Sequence, residues 1–425
     1  MSALMLAWRY LRARLLLNFL TAVTVGFGVT LIIAASAVSN STKTSVMQSA
    51  GGYQLLVAAK GSPVQAVMSS LFFIDAPTGN VPVEVYRQLK SDRGVARVVP
   101  LNMGDSYRGF YIVGTTPDYF ALIGDMIGRP VQTRPQNRVF EKPFEAVLGT
   151  SVARDLGLKV GDRFVALHGF IDLPADLADP HERLPYTVVA LLEKTNTPAD
   201  KAIFTSVETI WAIHHQDLPD AWEKPKGEAE PSRQDRGARQ RKKASEITAL
   251  LVQGNSYMDL LRLSSMIGKS PSAQAIFPAR IVTRLLDYLR IGESVVLGVS
   301  WLTTVVAFFA IMISMLAATI DRRRQIATLR ALGAGQWVIA RIILLEAGFI
   351  ATFGAVAGVV AGRGAAYGLA ALVERMSGLR LDLRPIAWED IITVVIALAL
   401  GILAGAIPAY SAYRQDVARN LSPSF

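Results

Sequence analysis

The sequence predicts an α-helical membrane protein with four transmembrane helices plus an α+β extracytoplasmic domain. Three observations carry that expectation. Hydrophobic residues make up 51% of the 425 and Asp, Glu, Lys and Arg only 18%, against roughly 25% charged in soluble chains; the mean hydropathy is +0.34. Four long runs are free or nearly free of charge, and a hydrocarbon core about 30 Å thick needs only about 20 helical residues. Between the first two runs lies a long stretch in which strand-like and helix-like patterns mix. The absence of cysteine excludes disulfides, thiolate metal sites and cysteine nucleophiles, and suits an oxidising compartment.

Residues 1–14 read as an interfacial helix, with Leu4, Trp8 and Leu11 on one face and Arg9 and Arg12 elsewhere, a pattern that lies in the headgroup layer. Residues 15–42 form the first span, 28 residues without a charge. Ala35-Ser36-Ala37 resembles a signal cleavage site, but a signal core holds about 7–15 apolar residues, so an uncleaved helix is expected.

Residues 43–290 read as the extracytoplasmic domain. Tyr53–Ala59, Ala96–Leu101, Arg108–Thr115, Arg163–Leu167, Tyr186–Leu192 and Ile247–Gln253 have the β-branched and aromatic character of strands. Ala146–Leu156 reads as a strand passing into a short helix, with a turn at Gly157–Asp162, and Val83–Lys90, Val207–His214, Leu260–Ile267 and Ala279–Arg290 read as helices. No βαβ period repeats, so α+β is preferred to a doubly wound sheet. Residues 222–245 are dense in charge, Pro and Gly and are expected to be a disordered loop.

The remaining spans are 291–320, 342–362 and 391–413, separated by a cytoplasmic segment, 321–341, and an outer loop, 363–390, with a tail at 414–425. Ten arginines (9, 12, 14, 322, 323, 324, 330, 341, 414 and 419) flank the spans on the side that holds both termini, whereas the four of the outer loop are matched by Glu374, Asp382, Glu389 and Asp390. The positive-inside rule therefore places both termini in the cytoplasm. Residues 43–290 hold 30 basic and 26 acidic side chains, so the net charge of +10 largely reflects membrane orientation, and nucleic-acid binding loses its main support. Glu293 stands at the start of the second span, before the uncharged run from Ser294 to Ile320, and apart from it Glu346, near one end of the third, is the only acidic or basic group inside the spans; ion-coupled transporters bury such groups along their path. Gly354, Gly358 and Gly362 fall four apart on one helix face, which permits close helix packing within the subunit or across a dimer.

A search for chemistry gives little. Gly268-Lys269-Ser270 has the ending of a phosphate loop, but Leu263 stands where the loop's first glycine belongs. His168 and His181 bracket Asp172, Asp176 and Asp179, so a membrane-tethered metal-binding protein is a third-rank expectation; the spacing matches no compact site. No serine sits in a G-x-S-x-G elbow, and no catalytic residue is expected on this chain.

The informative segment is Asp321–Gly335, in which Ile326, Leu329 and Leu332-Gly333 recur at helical spacing beside Arg322, Arg323, Arg324, Gln325 and Arg330. It predicts a short amphipathic helix stopped by Gly333 and Gly335, then a fresh helix from Trp337. On periodicity alone it fits equally a helix lying on anionic headgroups. The stretch RRRQIATLRALGAGQWVIARIILLEA is similar to the cytoplasmic coupling region of ABC transporter permeases of the MacB and FtsX family. FEAVLGTSVARDLGLKVGDRFVALHG resembles that family's outer-domain segment, and LAWRYLRARLLLNFLTAVTVGFGVTLIIA its first span. The resemblance implies a homodimer bound to two copies of a separate cytoplasmic ABC ATPase that carries ATP and Mg, in a bacterial inner membrane, with room for a periplasmic or outer-membrane partner. Arg322 to Gly333 would meet the ATPase; Gln325 departs from the family's usual Glu, which puts one ion pair there in doubt. The resemblance implies mechanotransmission, in which coupling-helix displacement moves the outer domain to export or extract a substrate. The alternative is a signal transducer that moves no substrate and switches a partner such as a cell-wall hydrolase.

Overall fold

The computed structural model describes residues 3–136, 138–169, 185–214, 245–377, 381, 383 and 387–414. The charged tract at 222–244, His181 and the tail from 415 onward lie outside these residues. The chain divides into two units: a helical one of Met1–Thr42, Asp287–Leu372 and Leu381–Phe425, and an α/β one of Lys43–Leu286 and Val373–Arg380.

In chain order the elements begin with α1 (Ala3–Ala13) and α2 (Leu15–Gly51). Then come β1 (Leu55–Ala59), α3 (Pro63–Phe72), β2 (Val81–Pro82), α4 (Val83–Ser91), β3 (Val95–Tyr107), β4 (Phe110–Thr115), α5 (Asp118–Ile127) and β5 (Thr133–Arg134). These are followed by β6 (Glu145–Leu148), α6 (Thr150–Leu156), β7 (Arg163–Phe164), β8 (Leu167–His168), β9 (Tyr186–Leu192), β10 (Ile203–Ser206) and α7 (Val207–Ile213). The last are β11 (Glu246–Ile247), β12 (Ala249–Gly254), α8 (Tyr257–Gly268), β13 (Ala273–Ile276), α9 (Pro278–Asp321), α10 (Arg323–Ala331), α11 (Gln336–Ser377) and α12 (Trp388–Tyr413).

The α/β unit holds a mixed sheet in the order β13-β1-β12-β3-β4-β10-β6-β9-β5, with β7 on β9 and β8 on β3. Only β4 with β10 and β6 with β9 run parallel, so the α+β expectation holds. All five residues of β1 are buried: Leu56 and Ala58 enter one core with Phe72, Tyr119 and Phe204, whereas Leu55 and Val57 enter another with Trp211 and Leu250. A strand covered on both faces reads as an unbroken apolar run.

Two expected strands, Ala96–Leu101 and Arg108–Thr115, prove to be parts of a longer hairpin. β3 runs unbroken from Val95 to Tyr107: Arg97 to Leu101 pair with β12, and Asn102 to Tyr107 pair with β4. The register shifts between Met103 and Asp105, so Gly104 sits in a bulge, where a bend lets one strand serve two partners. A Cβ on Gly104 would lie 2.8 Å from His214 Nε2.

Among the described residues four helices, each lying mostly in the helical unit, are long and apolar enough to cross a membrane: Leu15–Met47, Pro278–Asp321, Gln336–Glu374 and Trp388–Tyr413. α9 has 44 residues, about 66 Å at 1.5 Å per residue, so the amphipathic helix expected at Ala279–Arg290 is its first part. α11 overruns residues 342–362 at both ends, because Arg341 and Arg363 end the apolar run without ending the backbone ladder. The core of this unit joins Val25, Ile311, Met315, Ala347, Ile350 and Ala404.

Candidate functional site

α10 carries the segment on which the coupling expectation rests. Arg322, at φ −95° and ψ 8°, separates it from α9. Its far end is closed by Gly333 at φ +95°: Ala334 N donates to Leu329 O at 2.9 Å and Gly333 N to Arg330 O at 3.0 Å. This bonding pattern places a left-handed residue just past the helix, where glycine adopts the conformation without a Cβ penalty. α11 begins three residues later, so the turn is tight.

The inner face of α10 is apolar. Ile326 is 8% exposed and packs with Ile339, Ala340, Ile343, Ala409 and Ala412. Leu329 and Arg330 are half-buried at the edge. The outer face presents Arg323, Arg324, Gln325 and Thr328; beyond it stand Leu332, 81% exposed, and Trp337, 70% exposed, whose ring lies 5.6 Å from that of Tyr413. Of the expected coupling residues, Arg323, Arg324, Gln325, Leu332 and Gly333 therefore lie at the surface, whereas Arg322 and Ile326 turn inward.

Arg322 ties several elements of the unit together. Its Nη1 donates to both carboxylate oxygens of Glu346, at 2.9 and 3.2 Å, and Nη2 donates to the Tyr10 carbonyl at 3.3 Å. Its guanidinium lies 4.1 Å from the centre of the Tyr10 ring. Glu346 is 2% exposed, so this pair is removed from water, where a charge survives only if paired and hydrogen-bonded. A cavity of about 30 Å³ between Tyr10, Met315, Ile326 and Glu346 borders it. Arg14 forms an ion pair with Asp321 one residue away. α1, the α9–α10 junction and α11 thus meet at one point. The sequence offered a signal for it: a lone acid in an apolar run must find a cation.

At the far end of the apolar stretch of α11, Arg363 Nε donates to Asp390 Oδ2 at 2.9 Å, and the same oxygen accepts Ala387 N at 3.0 Å, closing the start of α12. Both side chains are buried. Glu346 and Arg363 stand seventeen residues apart, about 25 Å along a helix, close to the thickness of the hydrocarbon core. The two buried ion pairs bracket the apolar stretch of α11.

Between them, the three spaced glycines face α2. A Cβ on Gly354 would lie 2.6 Å from Ala22 O, one on Gly358 2.6 Å from Gly26 O, and one on Gly362 2.8 Å from Ile33 Cβ; Thr30 Oγ1 donates to Gly358 O at 3.2 Å. Of the two arrangements open from sequence, these residues take the contact within the subunit. Gly358→Ala is expected to push the helices apart at a cost of about 1–3 kcal/mol. The check is the Tm of the purified chain in detergent, with Gly368→Ala as control, where a Cβ meets open space.

The other candidates do not assemble. Gly268-Lys269-Ser270 lies at the C-terminal end of α8, whereas a phosphate loop must open a helix, where free N–H groups point at the ligand. His168 lies in β8 with its backbone opposite Asp105, and His181 is outside the described residues. His214, at the end of α7, has Nε2 3.6 Å from Oδ1 of the fully buried Asp105. Burial pushes the Tyr186 hydroxyl well above its ordinary range, and the Asp105 charge adds to that. Among the described residues no three His, Asp or Glu side chains gather to hold a metal.

Comparison with known proteins agrees with this layout. The family model for the MacB-like periplasmic core domain matches residues 18–253, and that for the FtsX-like permease C-terminal matches residues 297–417. An uncharacterized ABC transporter permease of Methanocaldococcus jannaschii is 33% identical over 134 residues, which are 31% of this chain and 33% of that protein; the chain spans about a third of the length of this relative. Among solved structures, the periplasmic region of MacB from Actinobacillus actinomycetemcomitans matches at 10% identity and TM-score 0.34, over 56% of this chain and 97% of that one. The extracellular domain of the noncanonic ABC-type transporter YknZ from Gram-positive bacteria matches at 11% and 0.30, over 52% and 99%. With the two family models together reaching from the first apolar helix to the last, the chain belongs to the MacB/FtsX-like family of ABC transporter permeases.

Proposed function

We propose that this chain is the transmembrane subunit of an ABC transporter in a bacterial inner membrane, with both termini cytoplasmic and the α/β unit periplasmic, and that it passes the motion of a separate ATPase to that unit. One observation carries the reading: α10 has two faces, one bonded into the bundle through Arg322 and Ile326, the other free to meet a partner through Arg323, Arg324, Gln325 and Leu332. A force on the outer face cannot be absorbed locally, because the capped turn and the Arg322–Glu346 pair tie α10 to α1, α9 and α11. By family resemblance the working assembly is a homodimer on two ATPase copies, which bind ATP and Mg; the reading asks for no catalytic group on this chain. The displacement would drive export or extraction of a substrate.

The absence of cysteine makes the orientation simple to test. Leu332→Cys is expected to react with an impermeant maleimide only from the cytoplasmic side, and Met258→Cys, in the α/β unit, only from outside; the reverse pattern refutes the orientation. Purification from native membrane should recover a nucleotide-hydrolysing companion. ATP-dependent movement of a substrate by the reconstituted complex supports transport, whereas activation of an outer hydrolase with no substrate moved replaces transport by signalling.

A further inference from the structure

The structure assigns a second binding site to the helical unit: a groove between α1, α2 and α11 that holds one acyl chain of an anionic glycerophospholipid, with its phosphate on Arg12. The groove encloses about 380 Å³. Its walls are the hydrocarbon faces of Trp8, Phe19, Phe349 and Phe353, and the two groups with polar side chains in it are Arg12 and Asn18. Asn18 is already committed, its Nδ2 donating to Leu11 O at 2.9 Å. Arg12 is exposed, with its guanidinium 5.3 Å from the centre of the Trp8 ring, and Trp8 meets Phe349 edge-on at 6.2 Å. The site is therefore built like an amphiphile: a cation at the rim and aromatic walls beneath it.

Depth supports the same occupant. Phe349 and Phe353 stand three and seven residues beyond Glu346, about 5 and 10 Å along α11 into the apolar stretch, while α1 stays at the charged level, where its Tyr10 carbonyl accepts from Arg322. A ligand lying along the groove has its head among charges and its tail in hydrocarbon. Charge selects the head: α1 carries Arg9 and Arg12 and no acid, and each basic residue at an anionic surface contributes about 1 kcal/mol. Phe19 is 60% and Phe353 72% exposed, so the groove opens sideways, where a lipid enters without displacing a helix. The leaflet, the cytoplasmic one, rests on the orientation proposed above; the site does not.

The test titrates the full-length chain, in detergent, with phosphatidylglycerol or phosphatidylcholine and reads retained lipid by native mass spectrometry. Phosphatidylglycerol should be retained in preference. Arg12→Gln should weaken it about fivefold, the equivalent of one basic contact, with phosphatidylcholine unchanged and Arg12→Lys restoring the preference. Equal retention of the two lipids, or an unchanged preference in Arg12→Gln, overturns the site. So does a disulfide-linked dimer from Phe353→Cys, which would put a second copy over the groove. Leu4→Cys labelled only from outside overturns the leaflet and the orientation while leaving the lipid preference standing, so the two failures are told apart.

Discussion

Arg322→Ala is expected to cost about 3–5 kcal/mol, the range for breaking a buried ion pair by removing one partner. The loss arises less from the missing attraction than from the stranded charge. Glu346, 2% exposed, would keep a carboxylate with two strong acceptor oxygens in a cavity of about 30 Å³. Glu346→Gln should cost less: the Arg322 side chain is 13% exposed and long enough to carry its head toward water, and it keeps the Tyr10 carbonyl as an acceptor. The double change Arg322→Met with Glu346→Leu should recover most of the loss, since apolar replacements of buried pairs are often neutral or better. Thermal unfolding of the parent and the three variants in detergent decides the matter. A cost below about 0.5 kcal/mol for Arg322→Ala would mean that the pair does not hold the junction together.

That pair also marks the limit of what the sequence discloses. The four apolar helices and the mixed α/β architecture follow from charge-free runs and from β-branched stretches, which report burial directly. Which of three successive arginines turns inward does not. Arg322, Arg323 and Arg324 are chemically identical, and the choice is made at the α9–α10 junction, where the backbone of Arg322 turns to φ −95° and ψ 8° and its side chain reaches Glu346. The single strand β3 was hidden for a related reason. Asn102, Gly104 and Asp105 are turn formers by composition, yet here they bridge two halves of a sheet through a bulge. α3 is not among the helices expected above, although Ser62-Pro63 makes a helix start: Ser62 Oγ accepts Gln65 N at 3.3 Å, and Pro63 fills the first helical position, where no donor is needed. α5 carries a one-sided pattern that was there to be read: Tyr119, Phe120, Leu122 and Ile123 are buried while Asp118, Ala121 and Asp125 share the exposed face.

Charge reversal on the outer face of α10 separates function from folding. Arg323→Glu with Arg324→Glu alters two exposed side chains, so the stability of the isolated chain should stay within about 0.5 kcal/mol of the parent, as with other surface substitutions. Stimulation of the companion ATPase should nevertheless fall about tenfold or more, because like charges brought together at a contact cost several kcal/mol, and a tenfold effect needs only about 1.4. Arg330 must be reversed separately: it is half-buried at the edge of the helix, and its change mixes a packing loss with the surface effect. Leu332→Asp removes the most exposed apolar group of the turn and should act in the same direction as the two arginines. Gly333→Ala is the informative control, for a Cβ there meets nothing within 4 Å, so its cost is the left-handed backbone alone, about 1–2 kcal/mol. If α10 is a lever, loosening its cap weakens transmission while the outer face, and therefore ATPase binding, is unchanged. Should the Arg323–Arg324 reversal leave both ATPase stimulation and binding intact, α10 is a membrane-surface helix, its arginines serve lipid phosphates, and the coupling reading fails at its first step.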